Sequence, residues 1–126
     1  MIIELDQYKY ELGQKEQALR DLGASLDLDN KKKRIAELDR MMEEPDFWTD
    51  PEKANQYSTE DRRLKDEVKS YEELAQSYDD IGALIEMAEE EEDQDSVAEV
   101  KEMLDDFIER LDQMSETGKH QGVIAV

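Results

Sequence analysis

A chain of 126 residues with 36 Asp and Glu against 16 Lys and Arg carries a net charge of −20, which excludes free DNA or RNA held by bulk charge. Without cysteine it forms neither disulfides nor zinc–thiolate sites, and its 37% apolar content suits helices with narrow apolar stripes. The start, Met1-Ile2-Ile3-Glu4-Leu5-Asp6, lacks the basic flank and apolar run of a signal peptide, and no stretch approaches membrane-spanning length. A cytoplasmic chain with no membrane partner is expected.

Leu5, Leu12, Leu19 and Leu26 stand at seven-residue steps, with Tyr8 and Leu22 on the second seam, and predict a helix from about Glu4 to the Gly23 region. Gly23 and the stretch from Leu26 to Asn30 predict a break, with Asp27 or Asp29 as cap. A second helix carries Ile35, Leu38 and Met42 and ends before Pro45. The connector from Asp46 to Pro51 holds two overlapping start signals: Thr49 and Glu52 have capping-box spacing, while Asp50 and Pro51 read as an N-cap followed by an N1 proline. The sequence does not choose between them.

The third helix is the longest, from Pro51 to about Glu91, or roughly 60 Å at the α-helical rise. Tyr57, Leu64, Tyr71, Tyr78 and Ile85 form one seam; Ala54, Val68, Leu74 or Ala75, and Ile81 form the other, interrupted by Asp61 and Gly82. The run from Glu89 to Asp95 is an acidic turn, after which Ser96 and Glu99 have capping-box spacing and open a fourth helix. Val97, Leu104 and Leu111 make one of its seams and Val100, Phe107 and Met114 the other. From Ser115 the composition changes, glycines intervene at 118 and 122, and the end is Val123-Ile124-Ala125-Val126. Residues 1–114 are thus expected to form one helical domain and residues 115–126 a tail. The expected fold is all-α: an elongated antiparallel hairpin or bundle of three to four helices with coiled-coil-like packing.

Little in this pattern supports catalysis. The acids from Glu89 to Asp95 lack the alternating oxygen ligands and central glycine of a calcium loop, and read as a solvated turn. His120 is the only histidine and lies in the tail, and the five glycines are scattered singly, so no phosphate loop is built. No cofactor and no enzymatic activity are expected. The tyrosines at 57, 71 and 78 have the spacing of seam residues with hydroxyls at the rim. Lys31, Lys32, Lys33 and Arg34, joined by Arg40, form the main basic cluster; it reads either as a solvated face answering Glu37, Asp39 and Glu43 or as a phosphate-facing patch. Phe47 and Trp48, in the connector, most simply plug the end of a bundle; the alternative is an exposed partner-binding anchor.

The segment Glu44-Pro45-Asp46-Phe47-Trp48-Thr49-Asp50-Pro51-Glu52-Lys53-Ala54, preceded by Leu26-Asp27-Leu28-Asp29-Asn30-Lys31-Lys32-Lys33-Arg34-Ile35, resembles the N-terminal domain of the bacterial peptide chain release factor 2 family. The order of long helix, acidic turn and final helix resembles it too, over about residues 1 to 114. The resemblance implies translation termination, in which such factors read stop codons and trigger hydrolysis of peptidyl-tRNA. The Ser-Pro-Phe and Gly-Gly-Gln motifs that do this in the family occur nowhere in these residues, and Gly118-Lys119-His120-Gln121-Gly122 is not a substitute. What carries over is docking on the ribosome at the stalk base of the large subunit. Pro45, Asp46, Phe47, Trp48, Pro51 and Glu52 are the family motif, in a structural role, and Lys31 to Arg34 are the candidate contacts with RNA. A helical adaptor or decoy unrelated to termination is the alternative, and an exposed helical seam would let the chain self-associate.

Overall fold

A computed structural model describes residues 2–124, with side chains as far as Glu116. The described residues are all-α and include no strand. In chain order they form α1 (Ile3–Gln14), α2 (Glu16–Leu26), α3 (Leu28–Glu43), a 3-10 turn (Pro45–Thr49), α4 (Pro51–Glu91) and α5 (Ser96–Ile124). They divide into two compact units, residues 1–26 with 73–126, and residues 27–72.

The first unit is organised by its heptads. Leu5, Leu12, Leu19 and Leu22 from α1 and α2 are buried, as are Leu74, Ile81, Ile85 and Ala88 from α4 and Val100, Leu104, Phe107 and Leu111 from α5. Removing these side chains from water is the main favourable contribution here, at about 1.5–3 kcal/mol for each large apolar group. Tyr78 packs its ring on Phe107, with centroids 5.9 Å apart. Burial pushes its phenol pKa above the ordinary value of 10.0, helped by the Glu16 and Asp79 charges and opposed by Arg20.

The first predicted helix is divided. The Lys15 N–H donates to Leu12 O at 3.0 Å, so the backbone tightens for one residue before α2 resumes. Gly13, a weak helix former two residues earlier, is the local cause. Helix α2 then continues through Gly23, and the break falls at Asp27, whose φ of 52° is left-handed. Asp is one of the few residues that tolerates this region, and its Oδ2 accepts a hydrogen bond from Asn30 Nδ2 at 2.7 Å.

Helix α4 ends in a second left-handed residue, Glu92, with φ of 51°. The Asp93 N–H reaches back to Ala88 O and the Glu92 N–H to Glu89 O, the paired bonds of a Schellman cap. The capping role expected of Ser96 falls to Asp93, whose Oδ1 accepts from the Asp95 N–H and whose Oδ2 accepts from the Ser96 hydroxyl. Helix α5 runs to Ile124, so the change of composition at Ser115 does not end the helix. Ala125 and Val126, the last of the apolar end, lie outside the described residues, as do the side chains from 117 onward.

The second unit comprises α3, the 3-10 turn and the first half of α4. Leu38, Ala54, Leu64 and Val68 are buried in it. Asp50 decides the start of α4: its Oδ1 accepts the Lys53 N–H at 3.3 Å with Pro51 as first helical residue. Thr49 spends its hydroxyl on Asp46 O at 2.6 Å, within the 3-10 turn.

Candidate interaction surface

The basic cluster sits on the first two turns of α3, facing α4 on one side and solvent on the other. Arg34 makes a two-pronged pair with Glu60, with Nε 2.7 Å from Oε2 and Nη2 3.0 Å from Oε1. Its guanidinium also lies 5.9 Å from the Tyr57 ring centroid and pairs with Glu37. The Glu60 hydrogen bonds raise the Arg34 pKa despite partial desolvation. Reciprocally, the Arg34 hydrogen bonds hold the Glu60 carboxyl below its ordinary range.

Lys31 Nζ stands 2.9 Å from Glu67 Oε2 without hydrogen-bond geometry, and Lys32 Nζ lies 3.4 Å from Glu72 Oε2. The partners that answer these cations thus lie mainly on α4, not at the acids of α3. Only Glu37 of the acids adjacent in sequence takes part, through Arg34. On α4, Lys65 bridges Asp39 at 3.0 Å and Asp61 at 2.9 Å, and the hydrogen bonds it donates to Asp61 and Asp39 raise its pKa.

Lys33 has a different environment. It is exposed and, like exposed Arg40 one heptad later, has no ion-pair partner among the described residues. Seven residues on a helix is nearly two turns, so both cations project from one face, roughly 10 Å apart. The four-residue cluster therefore separates into three cations engaged within the unit and one that is open, with Arg40 beside it. Sequence spacing alone does not reveal this, because the engaging carboxylates are 26 to 40 residues further along the chain.

Of the motif residues, Pro45, Asp46, Phe47 and Trp48 form the 3-10 turn, and Pro51 and Glu52 open α4. Phe47 is half-buried, 4.8 Å from Trp48 edge-on and 6.3 Å from Tyr57. The Trp48 indole N–H donates to Met42 O at 3.2 Å, yet the residue remains 58% exposed. The bundle-plug expectation therefore fails for Trp48: its N–H finds a partner on the outside of α3, and the ring stays at the surface.

Among the described residues, no group of three or more His, Cys, Asp and Glu side chains is placed to hold a metal ion, and no helix is long and apolar enough to cross a membrane.

Comparison with known proteins gives the family. The PCRF domain model matches residues 31–121. Peptide chain release factor 2 of Staphylococcus epidermidis is 37% identical over 111 residues, covering 88% of this chain and 30% of that protein. The Clostridium perfringens factor is 36% identical over 104 residues, and that of Proteus mirabilis 28% over 113. The chain spans about 30% of the length of these curated relatives. With most of its residues inside the domain match and 37% identity to the Staphylococcus epidermidis factor over the aligned residues, the chain belongs to the PCRF domain family, as an N-terminal domain of the release-factor kind.

Proposed function

We propose that this chain is the ribosome-docking domain of a translation-termination factor, acting in the cytoplasm at the stalk base of the large subunit and inert in peptidyl-tRNA hydrolysis. The observation that carries this reading is the 37% identity to peptide chain release factor 2 across 88% of the chain. The open pair Lys33 and Arg40 gives the docking face its chemistry. Cations already held by Glu60, Glu67 and Glu72 gain less from a phosphate than cations held by nothing, because they must first give up a partner.

The test is sedimentation with ribosomes across a salt series. Binding that falls with salt, is lost in the double variant Lys33→Glu with Arg40→Glu, and survives Lys32→Gln is the expected result. Binding unaffected by the double variant would overturn the assignment of those residues, and no binding at any salt would favour the adaptor alternative. Measurable peptide release from stop-codon-programmed ribosomes by this chain alone would overturn inertness. Self-association has one supporting feature, the exposed pair Ile3 and Tyr10 one heptad apart on α1; a concentration-independent monomer mass in ultracentrifugation would dismiss it.

A further inference from the structure

The connector that joins α3 to α4 has a surface the docking reading does not use. Elsewhere in its unit most carboxylates are matched: Glu37, Asp39, Glu60, Asp61, Glu67 and Glu72 each face a lysine or arginine, while Asp27, Asp29 and Asp66 do not among the described residues. Around the 3-10 turn none is matched. Glu43, Glu44, Asp46, Asp50 and Glu52 are all exposed and none has an ion-pair partner among the described residues. In their midst stands Trp48, with more than half its surface in water.

An exposed tryptophan on a loose tether pays side-chain entropy when it binds. Trp48 has largely paid it already. Its indole N–H is tied to Met42 O, its edge rests on Phe47, and Phe47 rests on Tyr57, itself under the Arg34 guanidinium. The ring is a fixed aromatic shelf, and tryptophan has the most electron-rich face of the aromatic side chains. A shelf of that kind framed by unmatched carboxylates complements a planar cation, whose charge the acids attract and whose face the ring accepts. A nucleic acid fits the ring equally well by base stacking, but its phosphates meet five negative charges.

We propose that the Trp48 shelf is a docking site for an arginine-bearing segment of a protein partner. This does not depend on the release-factor reading, since it uses only the ring, its supports and the surrounding charge.

Trp48 is the only tryptophan of the chain, so its emission reports on the site directly. The whole chain is titrated with a short arginine-rich peptide, a lysine peptide of equal charge and a single-stranded oligonucleotide. Saturable change in emission with the arginine peptide, weaker with lysine and least with the oligonucleotide, is expected. Labelled-peptide anisotropy then reads the variants. Trp48→Ala is expected to weaken arginine-peptide binding by about 3- to 30-fold, the range of a cation–π contact at exposed to desolvated sites. Glu44→Gln with Asp46→Asn, exposed changes that leave the aromatic stack intact, is expected to weaken it several-fold, while Glu90→Gln with Glu91→Gln on the acidic turn of the other unit leaves it unchanged. Equal binding by the connector variant and its parent, stronger loss from the turn variant, or an oligonucleotide response exceeding that of the arginine peptide would each overturn the proposal.

Discussion

The two units solve the same problem with different chemistry. In residues 1–26 with 73–126, the interior is apolar and closed: Phe107, Leu74, Ile81, Ile85, Val100 and Leu5 are all fully buried. In residues 27–72, Leu38 is the only large side chain buried to that degree, and much of the joining of α3 to α4 is done by ion pairs and a half-buried aromatic stack. Apolar burial scales with area and is not subject to charge screening, whereas exposed ion pairs are individually weak and screened. The first unit therefore has strength to spare; the second has adjustable polar surface.

The largest expected effect tests the apolar side of that contrast. Phe107→Ala should destabilise by about 3–5 kcal/mol in denaturant unfolding, the usual cost of emptying a fully buried aromatic site. A loss under about 1 kcal/mol would mean the interior collapses easily and the contrast is overstated. Next comes the polar anomaly of the second unit. Asp61 is only 5% exposed and its Oδ1 has no hydrogen-bond partner, an arrangement that costs about 1–3 kcal/mol. Asp61→Leu should recover much of this, since Lys65 keeps Asp39 as partner. A drop in the unfolding midpoint would show that the carboxylate is better satisfied than its surroundings suggest.

A smaller gain is expected from Gly82→Ala in α4. A methyl there would lie 3.9 Å from Leu12 Cδ2, ordinary contact, and alanine replaces the weaker helix former, a gain of about 0.5–1 kcal/mol. The smallest effect is the acid response of the ionic unit. Glu60 binds its proton less readily when folded than when unfolded, because of the Arg34 hydrogen bonds. Its contribution is complete above the ordinary carboxyl value of 4.5 and is lost as pH falls below it through the depressed folded value. The difference in stability between the parent and Glu60→Gln should therefore shrink as pH drops below that point, as followed by urea midpoints. A difference that grows on acidification would reverse the assignment.

The apolar half of the fold was legible in the sequence because burial follows a period. Leu5, Leu12, Leu19, Leu64, Ile85, Leu104 and Leu111 fall on the heptad seams and are buried. The tyrosines at 57, 71 and 78 are half-buried, as rim residues of a seam should be. The polar half was much less so. Which carboxylate answers Lys31 or Arg34 depends on how one helix lies against another, and no local spacing encodes it. The start of α4 was ambiguous by one residue until the Asp50 cap and the Thr49 hydrogen bond resolved it. Trp48 misled for a third reason. A bulky aromatic between helices is ordinarily buried, and only the position of the Met42 carbonyl gives its N–H a partner at the surface.

Helix α4 is continuous from Pro51 to Glu91, yet its first half belongs to one unit and its second half to the other. Breaking a helix between the two would create a new pair of frayed ends, and renucleating one is costly. The backbone hydrogen bonds of α4 therefore run unbroken through the point where the division falls. Amide protons near residues 72 and 73 should accordingly exchange as slowly as their neighbours along α4.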